Sequence, residues 1–320
     1  MSINGIVAPY LELWHDPVFR YFLIACGILS LICWLATIIT DNYSQVDRLW
    51  SIIPAVYAWF FVYFGYQTNA ERCTRSSIMA ALVTLWGARL TYNFWRKDGY
   101  NLKTEDYRWI YVRKMFFYPQ YKIPYHIFNF VFTAVLQNLL LMFLVVPVWF
   151  VQTDKNVQSD LNSFDYLNVV LFLSFLLIET IADQQQWVYQ TKKYDWIDNK
   201  ESKKTKYSQN EIEDFKRGFL IKGLFKYSRH PNFWAEQSIW WIVYSFTLSS
   251  QMDFLKTNLS IGTLVNYSCF ATVFLTSLFQ GSTILTEWIT TKKYPEYKNY
   301  SDRVSRFFPW FTTYQPGKTK

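Results

Sequence analysis

The sequence predicts an all-α fold: a polytopic membrane helix bundle of about seven transmembrane helices, with cytosolic loops and a C-terminal tail. Two observations support this prediction. Hydrophobic residues make up 51% of the 320-residue chain and charged residues only 18%, whereas soluble domains contain about 25% charged residues. Mean hydropathy is nevertheless -0.01, so apolar and polar residues are segregated along the chain. Segregation on this scale is typical of membrane spans.

Seven apolar runs predict the spans, because a helix needs about 20 mostly apolar residues to cross the hydrocarbon core. The first 20 residues lack the basic start, short apolar core and small-residue cleavage site of a signal peptide, so we expect the first span to direct insertion. The chain is expected to form one membrane domain, with a helical bundle at 20–310, a solvated cytosolic loop at 198–214 and a short tail at 311–320. The predicted spans are 21–40, 49–66, 76–95, 127–151, 166–183, 233–250 and 259–286.

Loop charges predict the orientation, since Lys and Arg close to membrane spans favour the cytosol. Basic minus acidic residues are seven minus three in 96–126, eleven minus six in 184–232 and seven minus two in 288–320. A seven-span arrangement places these three segments on one side. We therefore expect a cytosolic C-terminus and a lumenal or external N-terminus.

The basic net charge of +8 is explained by these cytosolic segments, so we expect no nucleic acid partner and a lipid bilayer as the surroundings. The four cysteines are scattered and form no C-x-x-C pair. We therefore expect no metal site and no disulfide framework.

Charged side chains within the predicted spans are a further signal, because each costs roughly 2.5–3.5 kcal/mol on insertion scales. The predicted orientation places them all in the cytosolic half of the bundle. Two pairs are four residues apart and so share a helix face. This pattern predicts a polar cavity open to the cytosol, suited to a water-soluble cofactor and a lipid-like substrate. The polar residues are Arg89, Asn93, His126, Glu287 and the pairs Glu179 with Asp183 and Asn232 with Glu236.

A basic loop, GLFKYSRHPN (Gly223–Asn232), precedes the sixth predicted span. Pro231 fits the first turn of a helix, which places Asn232 near a helix N-terminus that favours anions. His230 can bind an anion or transfer a proton. The basic residues could serve only to keep this loop on the cytosolic side. The acid that follows at Glu236 instead favours a site for an anionic cofactor. The basic side chains are Lys222, Lys226 and Arg229.

The stretch GLFKYSRHPNFWAE (Gly223–Glu236) resembles the signature of the steroid 5-alpha-reductase C-terminal superfamily. That superfamily includes sterol reductases and, more distantly, isoprenylcysteine carboxyl methyltransferase. The resemblance covers roughly residues 45–310 and is greatest to a poorly characterised branch. Four further stretches match in order: LWGARLTYNFWRK (85–97), EDYRW (105–109), IETIADQQ (178–185) and LTEWITTKKYPEYKNYSDRVSRFFPW (285–310).

The resemblance implies a membrane protein, usually of the endoplasmic reticulum, that binds NADPH from the cytosol and reduces a carbon–carbon double bond in a lipid. The lipid classes it leaves open include sterols, polyprenols and fatty acyl chains. Tyr227 is the first choice for the proton donor and His230 the second, with Glu236 as the supporting acid. The charge pattern and the resemblance together predict the cofactor-binding residues Arg89, Glu179, Asp183, Lys222, Tyr227, Arg229, Asn232 and Glu236.

One position departs from the family pattern. Trp86 stands where the steroid reductases have a Tyr that polarises the substrate, and an indole donates a hydrogen bond without the acidity of a phenol. Tyr92 and Tyr57 are the possible substitutes. Two alternatives therefore stay open: methyl transfer from S-adenosylmethionine, and a non-catalytic lipid-binding protein. The basic loop favours the phosphates of NADPH over a sulfonium. The sequence assigns no lipid, oligomeric state or protein partner.

Overall fold

The computed structural model describes residues 13–199 and 206–316. These residues form helices joined by turns, which confirms the predicted all-α fold. They divide into two compact units. The first comprises the described residues up to Phe172 together with Trp240–Thr276, and the second comprises those from Leu173 to Ile239 together with the chain from Ser277 onwards.

The helices are numbered in chain order, and three of the longest, α8, α10 and α13, contribute residues to both units. A π-helical segment, Asn129–Leu136, lies between α5 and α6. The helices are α1 (Pro17–Thr40), α2 (Ile53–Thr68), α3 (Cys73–Trp95), α4 (Arg108–Met115), α5 (Lys122–Phe128), α6 (Gln137–Phe143), α7 (Val146–Thr153), α8 (Ser163–Asp198), α9 (Gln209–Arg217), α10 (Pro231–Ser250), α11 (Met252–Thr257), α12 (Ile261–Leu264), α13 (Phe270–Lys293) and α14 (Tyr297–Ser301).

Helix α1 begins four residues before the predicted span because its N-terminus is capped. The Asp16 carboxylate accepts hydrogen bonds from the backbone N–H of Val18 at 2.8 Å and of Phe19 at 3.3 Å. Pro17 occupies the first turn, where its missing N–H costs nothing. The cap satisfies two of the N–H groups that a helix start leaves without partners.

The predicted span at 127–151 lies within the helical stretch Lys122–Thr153. A turn at Leu144–Val145 separates α6 from α7, which has Pro147 in its first turn, while the N–H of Leu144 still donates to the Leu140 carbonyl at 2.9 Å. Proline lacks the N–H that would continue the preceding helix. The apolar composition predicts the membrane span and does not reveal this turn.

Helix α8 has 36 residues and continues well past the predicted end at residue 183. Its extension packs on α9, where Phe215 lies 6.1 Å from the ring of Tyr189 and 6.0 Å from that of Trp196. Part of the predicted loop at 198–214 is helical: α9 starts at Gln209, after a capping box formed by Ser208 and Glu211. Residues 200–205 and 317–320 of the predicted loop and tail lie outside the described part of the chain.

The predicted span at 259–286 begins later in the structure. The Asn266 side chain accepts from the N–H of Ser268 at 3.1 Å and donates to Thr247 Oγ1 at 2.9 Å. These bonds hold a turn ahead of the helix, so the continuous helical stretch starts at Tyr267.

Within residues 13–199 and 206–316, four helices are long and apolar enough to cross a membrane: Pro17–Thr40, Lys122–Thr153, Ser163–Asp198 and Tyr267–Lys293. They support an integral membrane protein in contact with lipid. The other three predicted spans correspond to α2, α3 and α10, so the predicted count of seven is not confirmed.

An aromatic cluster forms the core around α14 in the second unit. The Tyr300 hydroxyl donates to the Phe225 carbonyl at 2.5 Å. This contact and the surrounding rings fix the C-terminal segment beside the loop that precedes α10. The buried members of the cluster are Phe219, Ile221, Tyr297, Tyr300, Val304 and Tyr314.

Candidate functional site

The centre of the candidate site is a buried polar cluster on the parts of α8 and α10 that belong to the second unit. Glu179 and Asp183 share one face of α8, and Asn232 and Glu236 share one face of α10, as predicted from their spacing. The Asn232 amide donates to Asp183 Oδ1 at 3.2 Å, which joins the two faces directly. The sequence-predicted pairs thus meet through one contact.

Burial makes these carboxylates unusual. Glu179, Asp183 and Glu236 are only 4%, 6% and 5% exposed, and a buried carboxylate needs hydrogen-bond donors or a cation around it. Among the described residues no group of three His, Cys, Asp or Glu side chains is placed to hold a metal ion. Carboxylate oxygens accept hydrogen bonds, so the chemistry of the cluster suits a ligand that offers N–H, O–H or cationic groups.

The loop before α10 is held against α8 at Gly223. The N–H of Leu224 donates to Gln185 Oε1 at 2.9 Å. Gly223 has φ +62, and a Cβ there would lie 2.4 Å from Gln185 Oε1. Only glycine adopts this conformation without strain and leaves room for the amide. Gln185, in the stretch IETIADQQ, is a positioning residue that the sequence did not identify.

The next residues of the loop are bonded to the C-terminal segment through the backbone. The N–H of Arg229 donates to the Ser305 carbonyl at 2.8 Å, and the N–H of His230 to the Arg306 carbonyl at 3.0 Å. The buried Ser228 hydroxyl donates to the Phe307 carbonyl at 2.6 Å. Two stretches of the family-like pattern, joined here between residues 79 apart in sequence at Ser228 and Phe307, thus form one structure.

Arg229 makes a buried, two-point ion pair with Glu287 of α13. Nε lies 2.6 Å from Oε1 and Nη2 lies 3.1 Å from Oε2, and the two side chains are 8% and 11% exposed. Nη1 donates to the carbonyls of Ser301 and Val304 at 2.6 and 2.5 Å. These contacts make Arg229 a positioning residue for the loop, and its contact with cofactor phosphates stays a prediction.

His230 shares the same carboxylate. Its Nε2 lies 3.0 Å from Glu287 Oε1, and its ring stacks on Phe233 at 5.5 Å between centroids. Burial lowers the pKa of His230 below 6.5, while the Glu287 carboxylate acts in the opposite direction. The imidazole is therefore neutral near pH 7, with Glu287 accepting from its Nε2–H.

Three predicted loop residues lie at the surface. Tyr227 is 40% exposed, and the Lys226 ammonium lies 5.5 Å from the centre of its ring. Lys222 is exposed and forms an ion pair with Asp214. Of these, Tyr227 and Lys226 are directly available to a ligand from solvent.

An open pocket of about 370 Å³ lies on the C-terminal segment of the second unit. It combines one basic side chain, Arg303, with the rings of Phe308 and Trp310, which are 61% and 57% exposed. The backbone N–H of Trp310 donates to the Tyr227 carbonyl at 3.0 Å, which connects the pocket to the loop. The lining residues are Asp302, Arg303, Val304, Ser305, Phe308, Trp310 and Thr312.

Arg89 and Trp86 lie on α3, in the first unit, as do Asn93 and His126 of the predicted cavity, whereas the predicted acids and the loop residues lie in the second. Trp86 is fully buried and packs edge-on against Trp240 at 4.9 Å. Of the two proposed substitutes for the family tyrosine, Tyr57 is 4% exposed and Tyr92 is 58% exposed. Burial thus favours Tyr57 over Tyr92 as a residue facing the interior.

An ion pair in the first unit was missed by the sequence reasoning. Arg75 is fully buried, and its Nε and Nη2 each lie 2.9 Å from the Asp165 carboxylate. Ser249 Oγ also donates to Asp165, at 2.5 Å. The partners are far apart in sequence, so no local spacing signals the pair. The bonds connect the starts of α3 and α8 and have a structural role.

Comparisons with known proteins place most of the chain in one family. A family model described as "Protein of unknown function (DUF1295)" matches residues 33–304. The chain is also 39% identical over 285 residues to the Uncharacterized protein C594.04c of Schizosaccharomyces pombe, covering 88% of this chain and 77% of the relative. No solved structure gives a significant match.

Proposed function

The chain belongs to the DUF1295 family, and from its buried polar cluster and its loop we propose that it is a membrane-embedded, NADPH-dependent reductase of a carbon–carbon double bond in a lipid-like substrate. The resemblance of five stretches to the steroid 5-alpha-reductase C-terminal superfamily supports this proposal. The main structural observation behind the proposal is the hydrogen bond between Asn232 and Asp183, within a cluster of three buried carboxyl groups.

The cluster fits the nicotinamide end of NADPH. A carboxamide offers two N–H donors and one carbonyl acceptor, and ribose hydroxyls are further donors. Asp183, Glu179 and Glu236 supply acceptors, and Asn232 supplies both a donor and an acceptor. A set of this kind at the start of a 20-residue helix orients a neutral amide by hydrogen bonds rather than by charge.

The phosphate groups require cations or free N–H groups. The exposed Lys226 and the pocket residue Arg303 are suited to them, and Phe308 and Trp310 offer ring faces to an adenine. A third cation is Arg306, which lies on the C-terminal segment with Arg303 and has 38% of its side chain exposed. Lys222 and Arg89 stay in the proposal as predicted contacts.

Reduction of the alkene adds one hydride and one proton. NADPH, when bound, supplies the hydride. Tyr227 is the first candidate to hold and deliver the proton because its hydroxyl is on an exposed loop residue beside Lys226. His230 is the second, since the neutral ring carries a proton on Nε2 that Glu287 holds in place. Glu236 supports the site from the following turn of α10.

The surroundings of the site follow from the same proposal. An endoplasmic reticulum membrane location, a cytosolic C-terminus and a cofactor that enters from the cytosol are supported by the loop charges and by the resemblance. The lipid substrate reaches the protein from the bilayer, which the apolar helices contact.

Methyl transfer from S-adenosylmethionine is the second candidate, and one observation favours it. The buried carboxylates Glu179, Asp183 and Glu236 suit a sulfonium cation, while two of the predicted phosphate ligands, Arg229 and Lys222, have acidic partners in Glu287 and Asp214. A lipid carboxylate or thiol would then accept the methyl group.

A titration of the purified full-length protein in detergent tests the proposal. Ligand that binds the native state raises the thermal midpoint, so we expect NADPH to raise it saturably and S-adenosylmethionine to leave it unchanged. A rise with S-adenosylmethionine alone would favour the methyltransferase. The absence of any rise with NADPH, NADH or S-adenosylmethionine would contradict both enzyme proposals.

A further inference from the structure

A stripe of buried polar side chains runs along the stretch 122–153 in the first unit. Asn129, Thr133 and Gln137 are four residues apart and are 1%, 2% and 8% exposed. Both amide atoms of Asn129, the Thr133 hydroxyl and Gln137 Oε1 have no hydrogen-bond partner among the described residues. We call these three residues the polar stripe.

Two other buried hydroxyls in helices of this unit bond to their own backbone. The hydroxyls of Ser30 and Thr37 donate to the carbonyls of Cys26 and Cys33, four residues before them, at 2.8 and 2.9 Å. Thr133 makes no such bond. It lies in the π-helical segment, where the wider turn changes the position of the carbonyl four residues back.

The lack of partners is costly in this setting. Buried polar groups in proteins are almost always hydrogen-bonded, and hydrocarbon offers no water to replace a missing partner. A π-helical segment is itself rare and is frequent at functional sites. The polar stripe thus offers to a ligand several donors and acceptors that have no partner within the described part of the chain.

An apolar pocket of about 410 Å³ is lined in part by residues of the same stretch of chain. Leu136 directly precedes Gln137, and Leu140 follows it by one turn, and both line the pocket. Its volume is within the range of small-molecule sites, about 300–1,000 Å³. The other lining residues are Leu139, Phe143, Val146, Tyr267, Ser268, Phe270, Ala271 and Phe274.

We propose that the polar stripe binds the neutral hydroxyl or carbonyl oxygen of a membrane lipid whose hydrocarbon body occupies the apolar pocket. The stripe carries amides and a hydroxyl but no ionisable side chain, so it selects a neutral oxygen over a carboxylate or a phosphate. As a binding site it is independent of the reductase, and as the substrate site it rests on the proposed function.

The test uses nucleotide-free full-length protein in detergent and follows the thermal midpoint. The probes are cholesterol and geranylgeraniol, the hydrocarbons cholestane and phytane, and the anion palmitate. We expect at least one alcohol to raise the midpoint saturably, and the hydrocarbons and palmitate to have little effect. The same response to alcohol and hydrocarbon, or no response to either alcohol, would overturn the proposal.

Variants of the stripe identify the site. Thr133→Val removes one hydroxyl at almost constant volume, and we expect the apparent affinity for the alcohol to fall about tenfold. Thr133→Ser should retain it. Asn129→Leu should weaken binding further while leaving the lipid-free midpoint unchanged or higher, since an unsatisfied amide is removed.

Thr37→Val is the matched control. It removes a hydroxyl that is equally buried but already bonded to its own helix, so lipid affinity should not change. Wild-type affinity in Thr133→Val would overturn the proposal. NADPH is also titrated into the same preparations. A variant that loses lipid binding but retains nucleotide binding separates this site from the cofactor site. Lipid binding without any nucleotide binding in the wild type would leave this site intact and reject the reductase.

Discussion

The Arg229 guanidinium and the Glu287 carboxylate form a buried ion pair at 2.6 and 3.1 Å that connects the loop before α10 to α13. The same guanidinium holds two carbonyls of the C-terminal segment. One side chain therefore joins three parts of the second unit. Because the loop and the C-terminal segment both carry residues of the proposed cofactor site, the site depends on this pair for its shape.

Glu287→Gln should destabilise the second unit strongly. It leaves Arg229 buried without an anion, and removal of one partner of a buried pair costs about 3–5 kcal/mol. Replacing both, as Arg229→Met with Glu287→Leu, should cost less than the sum of the single changes because the two residues interact directly. Unfolding in detergent of Glu287→Gln, of the double variant and of the single variants Arg229→Met and Glu287→Leu measures this.

The exposed pair Lys298–Asp302, with 67% and 55% exposed side chains, is the control for that prediction. Asp302→Asn should change stability by less than about 1 kcal/mol, since surface pairs contribute little. A loss in Asp302→Asn as large as that in Glu287→Gln would show that the buried pair has no special role.

Gly223→Ala should disrupt the loop. The backbone has φ +62, and the added methyl group would collide with the Gln185 amide, so we expect a loss of about 1–3 kcal/mol and weaker nucleotide binding. Gly27→Ala in α1 is the matched change, because a Cβ there meets nothing within 4 Å and alanine favours helix. Equal effects of the two changes on the thermal midpoint would contradict this reasoning.

Acid should destabilise the folded protein through His230. Burial lowers its pKa below 6.5 in the native state, whereas in the unfolded chain it titrates near about 6.5. As pH falls through that value the unfolded state binds more protons, so stability falls with pH until the native imidazole is also protonated. The groups that act on it are Glu287, Arg229 and Arg306.

The measurement for His230 is the thermal midpoint between about pH 8 and about pH 5. His230→Gln should flatten the curve below about pH 6.5, while the exposed His15→Gln should leave the wild-type slope. A wild-type slope in His230→Gln would show that another group causes the acid sensitivity.

Asp183→Asn and Asn232→Ala should each weaken NADPH binding about tenfold or more, because each removes half of the contact that joins α8 to α10. Isothermal titration in detergent gives the affinities. Asp195→Asn is the control: this acid is on the same helix, but its carboxylate accepts from Tyr207 at 2.5 Å. Unchanged affinity in both site variants would remove the cluster from the cofactor site.

Composition and spacing were sufficient to predict the helical class and the pairing within α8 and within α10. The i, i+4 spacing places Glu179 with Asp183 and Asn232 with Glu236 on shared faces, and apolar length locates the helices. The predicted starts differ where a single side chain, such as Asp16 or Asn266, ends or begins the hydrogen bonding.

Long-range partners could not be predicted in the same way. Arg229 looked available to phosphate because nothing near it in sequence reveals Glu287, 58 residues away. The same holds for Arg75 with Asp165 and for Gln185 with the loop. The π-helical segment could not be predicted either, since its composition is as apolar as that of the α-helical membrane spans.

The most direct test of the proposed reductase is transfer of deuterium from NADPH labelled at the nicotinamide C4 to lipid. Purified protein is incubated with the labelled cofactor and a membrane lipid extract, and the lipids are analysed by mass spectrometry. The account predicts a lipid that gains one deuterium from the cofactor and one proton from water, and no such lipid with Asp183→Asn. Methyl transfer from labelled S-adenosylmethionine to lipid, with no deuterium transfer from NADPH, would contradict it.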